Sequence, residues 1–301
     1  MPLLGEFAAL TTAFLWSFTS LFFTSASRRI GAYWVNKLRI PFAVVFLGTT
    51  LLISTGTLFP DVISSRSAFF LIASGVIGLS IGDFFLFSAF VMLGTRLTML
   101  VFSVSPIITA LIAWIFLGET IGIWGLTGIG LTLTGVAWVS LERRVEVGAP
   151  TKDDARKKGL GLLMALGGAS GQAIGLVLAK AGMSEGVTPL PATFIRMLSA
   201  AVAVWLFGLL RRDSRELATV IKNRRAILLA LGGSVCGPFL GVWMSLVSIK
   251  HTETGIAAAI MATVPVLVIP LVILVYKEKV SARAFIGAVV TVGGIFLLFL
   301  K

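Results

Sequence analysis

A carboxylate within an apolar run is the first feature of this chain that asks for a chemical explanation. Asp83 stands in Gly82-Asp83-Phe84-Phe85-Leu86-Phe87. A charged carboxylate at the centre of a lipid-embedded helix costs about 2.5–3.5 kcal/mol on insertion scales, so it faces a cavity or a partner. It could carry a proton or anchor a substrate ammonium group. The competing reading is packing, with Asp83 neutral or paired to Arg39 or Arg196. Those arginines each occupy the first turns of an apolar run. They could bind a substrate carboxylate or gate by ion pairing, or they could snorkel to headgroups or cap a neighbouring helix.

Pro106 and Pro265 lie inside apolar runs at equivalent places. An interior proline removes one backbone hydrogen bond and clashes with the carbonyl four residues back. Each is therefore expected to kink its helix, as part of a gate or simply for packing. Gly237 and Pro238 are expected to break another helix in the same way. Aromatic residues crowd two runs, among them Phe14, Trp16, Phe18, Phe84 and Phe87, with Trp243 in a third. Trp16 and Trp243 sit too deep to be ordinary interface anchors. They are read with Ser17, Phe87 and the polar Gln172 as candidate lining of a substrate pocket, against the alternative of packing bulk. Glu119 and Glu278 end their runs at the membrane surface and read as caps or loop anchors.

Other chemistries are poorly supplied. One cysteine (Cys236) and one histidine (His251) offer neither a thiol metal cluster nor a His-based metal site, and a Ser-His-Asp hydrolase is equally unsupported. No Gly-x-x-x-x-Gly-Lys-Ser/Thr loop occurs, so direct use of ATP is not expected. No cofactor is expected, and the chain is read as a non-enzyme.

The elements that must position these residues are set by hydropathy. Of 301 residues, 57% are hydrophobic and 13% charged, and the mean hydropathy is +1.02. A soluble domain carries nearly twice that charge fraction, so the solvent of this chain is lipid. The net charge of +12 would suit nucleic acid, but the charges fall in short gaps between apolar runs, which is a topology signal. Ten runs approach the roughly 20 residues a bilayer core requires: 3–24, 35–55, 68–91, 97–117, 122–140, 159–180, 190–210, 226–249, 254–275 and 282–300. Long continuous runs favour helices over a barrel. The first run has no basic segment before it and reads as a retained helix rather than a signal peptide.

The chain also reads as a duplication. A shift of 159 places Pro106 on Pro265, Glu119 on Glu278, Gly78 on Gly237, Gly82 on Gly241, Gly128 on Gly287 and Gly135 on Gly294. A slightly smaller shift places Arg39 on Arg196. The expected domains are 1–140, a basic cytoplasmic linker at 141–158, and 159–301. An odd number of helices per copy inverts the second copy. The charges agree: 19 of the 25 Lys and Arg residues lie in the odd-numbered gaps and 4 on the other face. By the positive-inside rule the crowded face is cytoplasmic and both termini lie outside, in the cell inner (plasma) membrane. Inverted repeats suit rocking around a midplane site.

The segments Ser105-Pro106-Ile107-Ile108, Leu117-Gly118-Glu119-Thr120, Trp124-Gly125-Leu126-Thr127-Gly128 and Gly135 resemble the EamA-like family of the drug/metabolite transporter superfamily. Val264-Pro265-Val266, Lys277-Glu278-Lys279, Gly287, Gly293 and Gly294 look like the same signature again, and Arg39 and Arg196 resemble that family's helix-two and helix-seven arginines. The resemblance implies an all-α ten-helix exporter of small amphipathic metabolites, amino acids first, with a central cavity. Expected partners are a small-molecule substrate, the bilayer and, if transport is coupled, protons taken up at Asp83. Nucleic acid is not expected, and the protein is read as a monomer or weak homodimer. The rival readings are an uncoupled facilitator or uptake carrier of the same fold, and a lipid-handling or scaffold protein.

Overall fold

The computed structural model describes residues 3–59, 63–140, 152–210, 214–276 and 282–300. Seven helical stretches among them are long and apolar enough to cross a membrane, and three shorter apolar helices, Ile123–Val139, Thr254–Val268 and Phe285–Phe299, occupy the remaining expected spans. The first half comprises α1 (Leu4–Ile30), α2 (Ala32–Thr55), α3 (Ser65–Ser74), α4 (Asp83–Phe102), α5 (Ser105–Leu117) and α6 (Ile123–Ser140). The second comprises α7 (Lys152–Met183), α8 (Pro189–Leu210), a short amphipathic α9 (Ser214–Lys222), α10 (Arg224–Ser234), α11 (Val242–His251), α12 (Thr254–Met261), α13 (Val264–Tyr276) and α14 (Ala282–Phe299).

Local chemistry sets several boundaries. Gly31 adopts φ +82, which lets α1 turn directly into α2. Ser64 caps α3 by accepting from the Ser67 amide at 3.0 Å, and Asn223 caps α10 by accepting from the Ala226 amide at 3.2 Å. Helical bonding continues through 92–96, where a turn between the third and fourth runs was expected; no proline there forbids it. Lys152–Lys158, the end of the expected linker, forms the first turns of α7, since its Lys, Arg and Ala residues are good helix formers. The 32 residues of α7 give a helix of about 48 Å, longer than the hydrocarbon layer. The rest of the linker lies outside the described residues.

Each half carries a π-helical turn at the same repeat position, Gly75–Gly82 between α3 and α4 and Val235–Gly241 between α10 and α11. The second is the break expected at Gly237-Pro238, realised as a wider turn rather than an end to the helix. The halves interlock. α1 packs against α10, α11, α12 and α13, while α7 packs against α3, α4 and α5. The main core runs through both, from Ala9, Ile40 and Leu71 to Leu246, Ile256 and Ile260.

Two glycine seams hold the architecture. In the first, α6 lies on α14 so closely that a Cβ on Gly135 would stand 2.3 Å from Thr291 Oγ1 and 2.6 Å from the Gly287 carbonyl. The glycines of these helices, open beforehand to sealing the halves or forming a dimer face, seal the halves. In the second, the π turn of the first half meets α7, where a Cβ on Gly175 would stand 2.8 Å from the Gly78 Cα. Small residues permit such approach in lipid, where packing rather than water exclusion holds helices together.

Candidate functional site

The expected proline kinks take a specific form. Two residues separate α4 from α5, and backbone bonding there tightens to a three-residue spacing: Val104 N–H to the Val101 carbonyl at 3.1 Å, then Ile107 N–H to the Val104 carbonyl at 3.0 Å. The second half repeats this between α12 and α13, with Thr263 N–H to Ile260 at 3.1 Å and Val266 N–H to Thr263 at 2.9 Å. Pro106 and Pro265 fall in the first turn of the following helix, where a missing N–H costs nothing. They are therefore not mid-helix residues, as the apolar runs had suggested. The carbonyls of Phe102 and Met261, four residues back, lose their α-helical donors to these prolines.

The two interruptions face one cavity of about 60 Å³. The first contributes Met99, Phe102, Ser103, Ser105 and Pro106; the second contributes Ala258, Met261, Ala262, Val264 and Pro265. Trp16 of α1 and Gln172 and Leu176 of α7 complete it. No charged side chain lines it among the described residues. The volume holds a few waters, at roughly 10–15 Å³ each by the same measure. Ser105 is spent on the Ala169 carbonyl at 3.0 Å, and Ser103 on Leu100 at 2.6 Å. Neither the Gln172 amide nor the Trp16 indole N–H has a hydrogen-bond partner among the described residues, so both are available to a ligand.

Of the expected site residues, Trp16, Gln172, Pro106 and Pro265 converge here; the others lie elsewhere. Ser17 is buried and donates to the Ala13 carbonyl at 2.8 Å, within its own helix. Trp243 stacks on Phe239, ring centroids 6.3 Å apart. Asp83 opens α4 just after the π turn and forms an ion pair with Arg39, which is braced by Asn36 Oδ1 accepting from Arg39 Nε at 2.8 Å. Phe87 lies under that guanidinium, 5.6 Å from ring centroid to Cζ. None of Asp83, Arg39 and Phe87 belongs to the cavity wall. Arg196 is almost wholly buried, and its backbone carbonyl presses on the π turn at Gly75.

Two features escaped sequence reasoning. Lys37, counted there as a charge in the first gap, lies inside α2 at 2% exposure, its Nζ 5.2 Å from the Trp34 ring centroid and 4.8 Å from that of Trp205. The flanking Tyr33 and Trp34 were the available signal. At the end of the molecule that holds the start of α1, Glu119 accepts from the Thr254 backbone N–H at 2.7 Å and its hydroxyl at 2.8 Å, and pairs with Lys180 at 2.7 Å. Lys180 also donates to the Thr252 carbonyl at 2.7 Å, and Thr252 donates to Glu6 at 2.7 Å. Glu119 is thus a cap, as expected, but for a helix of the other half. Its counterpart Glu278 lies outside the described residues.

Comparison with known proteins places this geometry. The model of the EamA-like transporter family matches twice, over residues 3–141 and 159–300, so the duplication extends along the whole chain. A solved structure titled only "Crystal structure of protein" superposes with a TM-score of 0.77 at 19% identity, covering 99% of this chain and 96% of its own; that likeness speaks to the fold alone. No curated protein matches. With two matched repeats along a helical, lipid-soluble chain, this protein belongs to the EamA-like transporter family and is a multi-pass membrane transporter of the drug/metabolite superfamily.

Proposed function

We propose that this protein is a secondary transporter that exports small amphipathic organic solutes, amino acids and their relatives first, by alternating access between two inverted halves of five spans each. The observation that carries this is the cavity between two repeat-equivalent helix interruptions, lined mostly by apolar side chains, with Gln172, the two serines and the Trp16 indole as its polar members. Broken helices at a repeat interface near the bilayer midplane are where secondary transporters hold their cargo. Trp16 and the prolines supply an apolar body to the site, and Gln172 a hydrogen bond that fixes orientation. Motion of the halves would open the cavity to one face at a time, with the basic loops cytoplasmic and both termini outside.

Asp83 is the coupling candidate in this reading. Protonation would dissolve its pair with Arg39 and loosen α2 from α4, transmitting the proton to the cavity through movement rather than contact. The same ion pair favours a second reading, in which Asp83 is a fixed counter-ion and the protein is an uncoupled facilitator.

Proteoliposomes loaded with an amino-acid panel separate the two, with an imposed pH gradient on and off, for wild type and Asp83→Asn. Gradient-driven flux that Asp83→Asn abolishes, sparing the undriven component, supports a proton antiporter. Equal flux from both proteins, indifferent to the gradient, supports the facilitator. No flux of any panel member refutes the substrate class.

A further inference from the structure

Two repeat-equivalent arginines are buried here, and one of them is paired with a carboxylate. Arg39 is the eighth residue of α2 and Arg196 the eighth of α8, so each Cα lies about 10 Å along its helix axis from the start. In inverted halves these depths are measured from opposite faces of the membrane. Asp83 has no acidic counterpart, since the equivalent position holds Val242. In this conformation Asp83 is paired with Arg39. Arg196 is 2% exposed, and its Nε and Nη1 make no hydrogen bond among the described residues. Its Nη2 lies 3.7 Å from where a Cβ on Gly78 would stand, on the π turn that leads into Asp83.

A buried guanidinium with two idle donor nitrogens is an unstable end point but a natural half of a two-state pair. Repeat equivalence alone would send Arg196 to Val242, whose side chain offers no acceptor; the acid that follows the π turn against which Arg196 packs is Asp83. We propose that Asp83 changes partner in the transport cycle, holding Arg39 in this conformation and Arg196 in the opposite-facing one, so that the two arginines compete for a single carboxylate and their balance sets which face the cavity opens to. The π turn at Gly75–Gly82 supplies the means. Its wider bonding can revert to α-helical spacing, which rotates Asp83 relative to the helix before it. This rests on the alternating-access reading above and makes Arg196 a positioning residue that acts through Asp83 rather than on the solute.

The test uses the full chain with Cys236→Ala and a reporter, Met99→Cys, on the cavity wall. A membrane-impermeant maleimide is applied to right-side-out and inverted vesicles, and the ratio of labelling rates from the two faces measures the population of each state. Arg39→Gln hands Asp83 to Arg196, while Arg196→Gln removes the competitor. The two ratios should therefore move in opposite directions from wild type and differ from each other by about tenfold or more, the scale of one hydrogen bond to a charged group. Should either glutamine variant fail to fold, Arg39→Lys and Arg196→Lys keep the charge and should give the same signs with smaller amplitude. Val242→Asp supplies the missing acid, gives each arginine its own partner, and should make the ratio insensitive to Arg39→Gln. Shifts of both arginine variants in one direction, or undiminished sensitivity in the Val242→Asp background, overturn the proposal. A wild-type protein labelled from one face alone, with and without saturating substrate, overturns alternating access and the partner change together.

Discussion

Glu119 and Lys180 meet at 2.7 Å across the boundary between the two halves, and both reach the start of α12, Glu119 through Thr254 and Lys180 through the Thr252 carbonyl. The pair ties the loop after α5 to the end of α7 and to the second half's interrupted helix. The Glu119 side chain is 11% exposed and that of Lys180 25%, so it is neither a free surface pair nor a dry one. In the proposed cycle, opening the cavity on this side would part these bonds together.

Glu119→Gln retains shape and removes the charge. Thr254 loses a charge-assisted bond and Lys180 its counter-ion, a weakening of about 1–3 kcal/mol. The expected result is a lower melting temperature in detergent and faster labelling of Met99→Cys from the termini side. Unchanged labelling would show that the cluster caps α12 without gating.

Gln172→Leu replaces the cavity's available amide by carbon of similar size. Loss of one neutral hydrogen bond is worth about 0.5–1.5 kcal/mol, so KM should rise up to roughly tenfold with little change in stability. Trp16→Ala should also weaken transport, and it should destabilise, because the indole packs on Gly241, where a Cβ would stand 2.5 Å from its Nε1. Transport kinetics with a thermal melt distinguish the two. A Gln172→Leu protein with wild-type KM would remove this residue from the site.

Asp83→Asn leaves two buried guanidiniums without a carboxylate. Breaking one member of a buried pair costs about 3–5 kcal/mol, whereas losing both members costs less. The double variant Asp83→Asn with Arg39→Gln should therefore be more stable than Asp83→Asn alone. Additive losses would mean that the two residues do not depend on each other.

Gly135→Val places a branched side chain where even a Cβ would stand 2.3 Å from Thr291 Oγ1. The neighbour on the other side is backbone and cannot swing away, so α6 and α14 must separate. Overpacking of this kind costs about 1–3 kcal/mol or more. Expression and melting temperature should fall sharply. The same change at Gly130, where a Cβ meets nothing, should be tolerated.

The spans, the duplication and the lipid solvent were legible along the chain because each depends on composition within a window of about 20 residues or on matching residues at a fixed offset. Proline's missing N–H likewise marked where the helices break, and the paired positions of Pro106 and Pro265 gave the correspondence between halves. Distance in space was not legible. Trp16 and Trp243 are alike in type and hydropathy, yet one reaches the cavity and the other stacks on Phe239, because neighbouring residues on a helix point about 100° apart and only packing decides which direction is inward. Asp83 could have met either arginine; the crossing of α2 with α4 chose Arg39. Lys37 was counted among surface charges until the fold brought Trp205 from the other half against it. Local physical chemistry determined which segments enter the membrane and where they bend, while the interlocking of α1 and α7 between the halves decided which side chains share a cavity.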